Sequence, residues 1–189
     1  MNVLETQNLT MEFGGIKAVS DLNLHVQKSS ITALIGPNGA GKTTVFNMLT
    51  GVYEPTKGIV NFQKEEIQGL KPYSIVKKGI ARTFQNIRLF KSLSVLENVL
   101  IAGDINLKYS IFSGLLSNRS FHIHEERAHD NALGLLKIFG LDSYAHLQSS
   151  SLPYGAQRRL EIARALATNS KLLLLDEPAA GMNNQETKN

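Results

Sequence analysis

Lys42 and Thr43 sit near the end of the run Gly36 to Thr44, GPNGAGKTT, and this combination of residue types is suited to phosphate chemistry. Lysine brings positive charge to the terminal phosphates of a nucleoside triphosphate, the Thr43 hydroxyl can hold magnesium, and Thr44 can add a phosphate contact. Gly36, Pro37, Asn38, Gly39, Ala40 and Gly41 supply the loop itself. Its glycines let the backbone curl until successive N–H groups point inward at phosphate oxygens, and the positive end of the following helix adds to the attraction. A second reactive pair is Asp176 and Glu177, which close the run LLLLDE. In-line attack on a γ-phosphate needs a positioned water and charge neutralisation more than covalent help from the protein. Asp176 is suited to holding magnesium through water, and Glu177 to orienting or deprotonating the attacking water.

These groups must be positioned by sheet and helix in alternation. Val3 to Leu9 reads as a strand, Leu22, Leu24 and Val26 fall on one face of another, and Ile31 to Ile35 reads as a third that feeds the glycine-rich loop. A helix is expected over Lys42 to Leu49, stopped at Thr50-Gly51, with a turn at 54–58, a strand at Ile59 to Phe62 and a short helix after Pro72. Gly79 to Phe84 reads as a strand running to Gln85, after which the pattern turns helical until about Ser151. Val95, Leu96, Val99 and Leu100 mark one helix there. Ala128, Ala132, Leu135 and Phe139 share a face of a longer one between Phe121 and Phe139. A helix over Ala156 to Thr168 precedes Lys171 to Leu175, an apolar strand of the kind buried on both faces of a parallel sheet. The order implies an α/β fold with ligands at the carboxyl ends of the strands.

Composition excludes several other classes. With 189 residues and 42% hydrophobic content the chain can bury a substantial core as one domain, or one domain with a subdomain. No apolar run approaches a membrane span, and the N-terminus MNVLETQNLT lacks the charge and apolar pattern of a signal peptide. The absence of cysteine excludes disulfides and thiolate metal sites. A net charge of +4 is a mild and scattered excess, which argues against a dedicated nucleic-acid surface. His122, His124 and His129 do not have the spacing of metal ligands on one helix face and read as solvated.

The segment Leu152-Pro153-Tyr154-Gly155-Ala156-Gln157-Arg158-Arg159, followed by LEIARALA, resembles the signature motif of ATP-binding cassette (ABC) proteins. With GPNGAGKTT before it and LLLLDEP after it, the resemblance covers essentially the whole chain. It implies a P-loop NTPase fold of the ABC type: a single nucleotide-binding domain over 1–189 with a mixed-sheet core and a helical subdomain at about 86–155. ATP and magnesium would be the cofactors. By the same resemblance Gln85, within Arg82-Thr83-Phe84-Gln85-Asn86, touches magnesium and water and joins the core to the helical subdomain. Phe13 stacks on adenine, Gly155 meets a partner's phosphate, and Ala180-Gly181-Met182-Asn183 crosses a dimer interface. The implied catalytic set is Glu177, Gln85 and Lys42, and the metal set Thr43, Gln85 and Asp176.

Three stretches narrow the likeness to the ATP-binding subunits of branched-chain amino-acid importers: Phe13 to Val19, Ala81 to Phe90, and Tyr154-Gly155 before Gln157 to Ala165. A polar insertion at Leu107 to His124 adds to it. The family implies a second, identical or different cassette, transmembrane permease subunits, an external solute-binding protein, no nucleic acid, and a cytoplasmic place on the inner face of the membrane. Departures from the family pattern are Pro153 for serine and Ala156 for glutamine in the signature, and Asn183 for aspartate in the crossing loop. The chain also ends twelve residues after Glu177, where the family continues with a further strand and a histidine for the γ-phosphate. The domain is therefore expected to be C-terminally incomplete and its polar end to fray. The alternative to an importer ATPase is a truncated cassette that binds nucleotide or a partner without effective hydrolysis.

Overall fold

Two glycines turn the first hairpin. The computed structural model describes residues 1–104 and 119–177. Within it β1 (Asn2–Phe13) and β2 (Ile16–Gln27) pair antiparallel, with Phe13 opposite Ile16 across Gly14-Gly15. Both glycines have positive φ, 52° and 88°, which the two-residue turns that match strand twist require. β3 (Lys57–Phe62) pairs with the other edge of β1, and the short β4 (Glu65–Glu66) completes an antiparallel sheet ordered β2-β1-β3-β4. Buried side chains alternate at Val60 and Phe62 of β3 and at Leu4 and Thr6 of β1, and a register shift after Thr6 lets the adjacent Leu9 and Thr10 both be buried. Leu4, Leu9, Val60 and Phe62 are buried together with Val45, Met48 and Leu49 of α1 (Lys42–Leu49) and Ile75 of α2 (Pro72–Lys78). Pro72 opens α2 at a position where its missing N–H costs nothing, and Gly79 at φ 106° closes it.

The described residues divide after Ile80 into two compact units. β5 (Ile80–Arg82) leads into the second, where it pairs with β6 (Leu172–Leu174). The core of this unit is helical: α3 (Val95–Gly103), α4 (Arg119–Ile138) and α5 (Tyr154–Ala167) pack Val95, Val99, Leu136, Leu160 and Ala163 against one another, with Leu152 from the segment before α5. α3 starts on a reciprocal cap. The Glu97 N–H donates to Ser94 Oγ at 3.1 Å, and the Ser94 N–H donates to Glu97 Oε2 at 2.7 Å. The Ser94 backbone bond and then its hydroxyl hold the Glu97 carboxyl below its ordinary pKa, so this contribution is present above the usual carboxylate range and fades as pH falls through the lowered value. Ser94→Ala is expected to cost about 1 kcal/mol of stability at neutral pH, read from the urea midpoint at unchanged m-value.

Three expectations need correction. Ile31 to Ile35 is not a strand: neither sheet among the described residues includes it, and Ile31 and Ile35 are 103% and 89% exposed. An apolar run becomes a strand only with a ladder partner for its backbone groups, and this one has none there. Lys171 to Leu175 is not buried throughout. The strand covers Leu172–Leu174, Leu174 is buried, and Leu175 is exposed beside it. On α4 the most buried positions are Ala132 and Leu136, with Leu135 and Phe139 only partly covered, because the packed face is centred one residue from the expected stripe. Most of the insertion expected at Leu107 to His124, the crossing loop Ala180 to Asn183 and the polar end lie outside the described residues.

Candidate functional site

The first unit carries the glycine-rich loop. Gly41 stands immediately before α1 at φ 86°, and a Cβ there would fall 2.4 Å from the Ala18 carbonyl oxygen of β2, so only glycine lets the loop lie against the strand. Gly39 also has positive φ, 83°. The Ala40 N–H donates to the Pro37 carbonyl at 3.2 Å, closing the turn. Lys42 folds back over its own loop, with Nζ donating to the carbonyls of Gly36 at 2.7 Å and Pro37 at 2.9 Å. The ammonium is thus held beside the loop. Thr43 is exposed, Thr44 is half-buried, and the first turn of α1 holds no acidic residue to compete with an anion. This arrangement can cradle phosphate groups with backbone N–H, helix end and ammonium together.

Phe13, in the same unit, ends β1 half out in solvent. Its ring meets that of Tyr53 edge to face, with centroids 5.4 Å apart and planes at 75°. An exposed aromatic pair of this kind offers a face for a planar base.

The second unit carries the acidic pair. Asp176 is buried, and Arg82 from β5 donates to its Oδ2 at 2.8 Å. Glu177 is exposed, with a φ of 48° that non-glycine residues seldom adopt. The Gln85 amide Nε2 donates to Glu177 Oε2 at 2.8 Å, so Gln85 and Glu177 meet directly although they are 92 positions apart. Gln85 itself is exposed, in the loop that leaves β5.

Several residues that hold this pair were not evident from sequence reasoning. Arg82 and Arg88 flank the Phe84 ring, their guanidinium carbons 5.0 and 4.2 Å from its centroid. The buried Asn98 closes the far end of the loop by accepting from the Phe90 N–H at 3.0 Å and donating to the Phe90 carbonyl at 3.1 Å. Arg158 of α5 is fully buried, and its guanidinium reaches the backbone on either side of the pair. A signal for it existed. Ala156, Leu160 and Ala163 form one inward stripe of α5, and Arg158, Glu161 and Ala165 form a second, so two opposite charges three residues apart lie on a buried face. Burial draws the Arg164 guanidinium below its ordinary pKa, with the Glu161 charge opposing.

Gly155 lies on the first turn of α5 and is buried, while its neighbours Pro153 and Tyr154 are exposed. Among the described residues no group of three or more histidine and carboxylate side chains is placed to hold a metal ion; His124 and His129 are exposed, and His122 lies among residues whose side chains are not described.

Comparison with known proteins gives the same direction. Residues 19–180 match the family model described as "ABC transporter". The chain is 48% identical over 185 residues to the "High-affinity branched-chain amino acid transport ATP-binding protein BraF" of Pseudomonas aeruginosa, which covers 98% of this chain and 72% of that protein. Its fold matches MJ1267, "an ATP-binding cassette of an ABC transporter", with a TM-score of 0.82 at 33% identity, covering 100% of this chain and 74% of that one. It also matches the dimeric ATP-binding cassette MJ0796 bound to ADP and Pi, with a TM-score of 0.79 at 26% identity, covering 98% and 78%. The glycine-rich loop before α1, the acidic pair Asp176-Glu177 that follows β6 and a family match over most of the chain point the same way: this chain belongs to the ABC transporter family and has the fold of its ATP-binding cassettes.

Proposed function

We propose that this chain is the ATP-hydrolysing subunit of an importer of branched-chain amino acids. The observation that carries this reading is the 48% identity, spread along 98% of the chain, with a protein named for that transport. In this account the loop Gly36 to Thr44 binds the triphosphate, Lys42 leaves the carbonyls of Gly36 and Pro37 for the terminal phosphates, and Phe13 stacks on the adenine. Glu177 accepts a proton from the attacking water, and Gln85 holds the carboxylate in orientation through the 2.8 Å bond from its amide.

Magnesium suits the donors present, because it keeps several waters and needs few protein ligands when phosphates supply the rest. By the family resemblance, the Thr43 hydroxyl of the first unit and the Gln85 amide oxygen and Asp176 carboxylate of the second are the groups proposed to hold it, the last through water, since that side chain is buried and shares Oδ2 with Arg82. Bound there, it would neutralise charge on the β- and γ-phosphate oxygens.

The first turn of α5, where Tyr154 is exposed beside the buried Gly155, would face a second cassette's nucleotide. Two cassettes closing over ATP would drive membrane-spanning permease subunits between access states, with an external binding protein delivering the solute. Among the described residues no helix is long and apolar enough to cross a membrane. The permease subunits would hold the chain at the inner face. Deleting the gene in a strain with no other route for these solutes should reduce uptake of labelled leucine, isoleucine and valine to background. The unmutated gene should restore it and the Lys42→Ala gene should not. Undiminished uptake after deletion would contradict the solute assignment.

A further inference from the structure

Arg158 has a geometry that stability alone does not call for. Its Nη1 donates to Glu161 Oε2 at 2.7 Å and to the Phe84 carbonyl, and its Nη2 donates to the carbonyls of Asp176 at 2.7 Å and Glu177 at 3.0 Å. Glu161 Oε1 in turn accepts from the Phe84 N–H at 3.3 Å. The backbone N–H and carbonyl of Phe84 are therefore both held by one ion pair, and the next residue is Gln85. The other half of the same guanidinium holds the backbone of Asp176 and Glu177. Taking two charges out of water is costly, and apolar side chains of similar volume fill such a place at least as well. A planar fork with fixed donors, however, can set the spacing of two separate backbone segments, which an apolar side chain or an ammonium cannot.

We infer that Arg158, anchored by Glu161, is a positioning residue for hydrolysis: it fixes the Gln85 and Glu177 backbones at the separation that lets their side chains meet and aims the Glu177 carboxylate at the attacking water. The left-handed backbone of Glu177 fits this role, because a disfavoured conformation persists only where neighbouring bonds over-determine it, and the Arg158 bond to the Glu177 carbonyl is one of them. The inference rests on the reading of Glu177 as the carboxylate that activates water.

The test uses the full-length subunit in its assembled transporter, with rates expressed per titrated ATP site so that unfolded protein does not count. Arg158→Lys keeps the charge and loses the fork. It is expected to lower kcat by about 10- to 100-fold, the scale of a misplacement near 1 Å, while KM for ATP stays within about 3-fold. The double variant Arg158→Met with Glu161→Gln removes both charges together, so neither is left buried and unpaired, and the same loss of kcat is expected. In a Glu177→Gln background, Arg158→Lys should reduce the residual rate by less than about 2-fold, because a residue that acts through Glu177 has nothing left to position. An unchanged kcat in Arg158→Lys, or losses that multiply in the Glu177→Gln background, would overturn the proposal. A slow Glu177→Gln beside a fast Arg158→Lys refutes the role of Arg158 alone. An unmutated rate in Glu177→Gln refutes the reading of Glu177 and the proposal with it.

Discussion

The Lys42→Ala variant is expected to bind ATP about 100-fold more weakly than the unmutated chain, the consequence of losing charged hydrogen bonds worth about 1.5–3 kcal/mol each. The loss stays below the sum of those bonds because Lys42 is already engaged. Its ammonium lies at 2.7 and 2.9 Å from the carbonyls of Gly36 and Pro37, and those bonds are exchanged when phosphate arrives. Alanine is also a better helix former than lysine, so the start of α1 should survive the change and the thermal midpoint should move little. Titration with a fluorescent ATP analogue, with a melting curve as control, separates loss of binding from loss of fold. Unchanged affinity in a folded variant would remove Lys42 from the phosphate site.

Glu177→Gln is expected to keep ATP affinity within a few-fold and to accumulate an ATP-bound dimer. Glutamine has nearly the same shape as glutamate, and its side-chain oxygen can still accept the 2.8 Å bond from the Gln85 amide, so the local arrangement should persist. What disappears is the carboxylate's basicity, and general bases typically contribute about 10²- to 10⁴-fold to rate. With hydrolysis that slow, closure over ATP would no longer be followed by release. Size-exclusion chromatography with labelled ATP should show a dimer carrying nucleotide for Glu177→Gln and mainly monomer for the unmutated chain. Equal monomer fractions in both would argue against closure over ATP as the step that precedes hydrolysis.

Elements specified by local chemistry were legible in the sequence. The loop and α1 follow from glycines that must adopt positive φ and from a helix-forming run that begins at Lys42, and the structure starts and ends α1 at Lys42 and Leu49. Likewise α2 begins at Pro72. Alternating strands such as Val3 to Leu9 and Ile59 to Phe62 were legible as well, whereas an unalternating apolar run without a partner was not. Ile31 to Ile35 has the composition of a buried strand, but a strand is a relation between two backbones and the described sheets hold no partner for it. The site divides in the same way. Lys42, Thr43, Asp176 and Glu177 stand out as candidates through residue type and spacing alone. The bond between Gln85 and Glu177, the Arg82 pairing of Asp176 and the reach of Arg158 to both segments depend on contacts across 92, 94 and up to 74 positions. Arg158 and Glu161 were visible only as charges on an amphipathic helix, and a helix with two inward stripes is easily read as having one.

The central claim is that ATP bound at the Gly36 to Thr44 loop is hydrolysed through Glu177. The most direct measurement is the rate of phosphate release in a single turnover, started by adding magnesium to full-length subunit preloaded with ATP, unmutated and Glu177→Gln in parallel. Release slowed by about 10²-fold or more in the variant, with equal ATP loaded at the start, is the expected result. Equal rates in the two proteins would contradict the account.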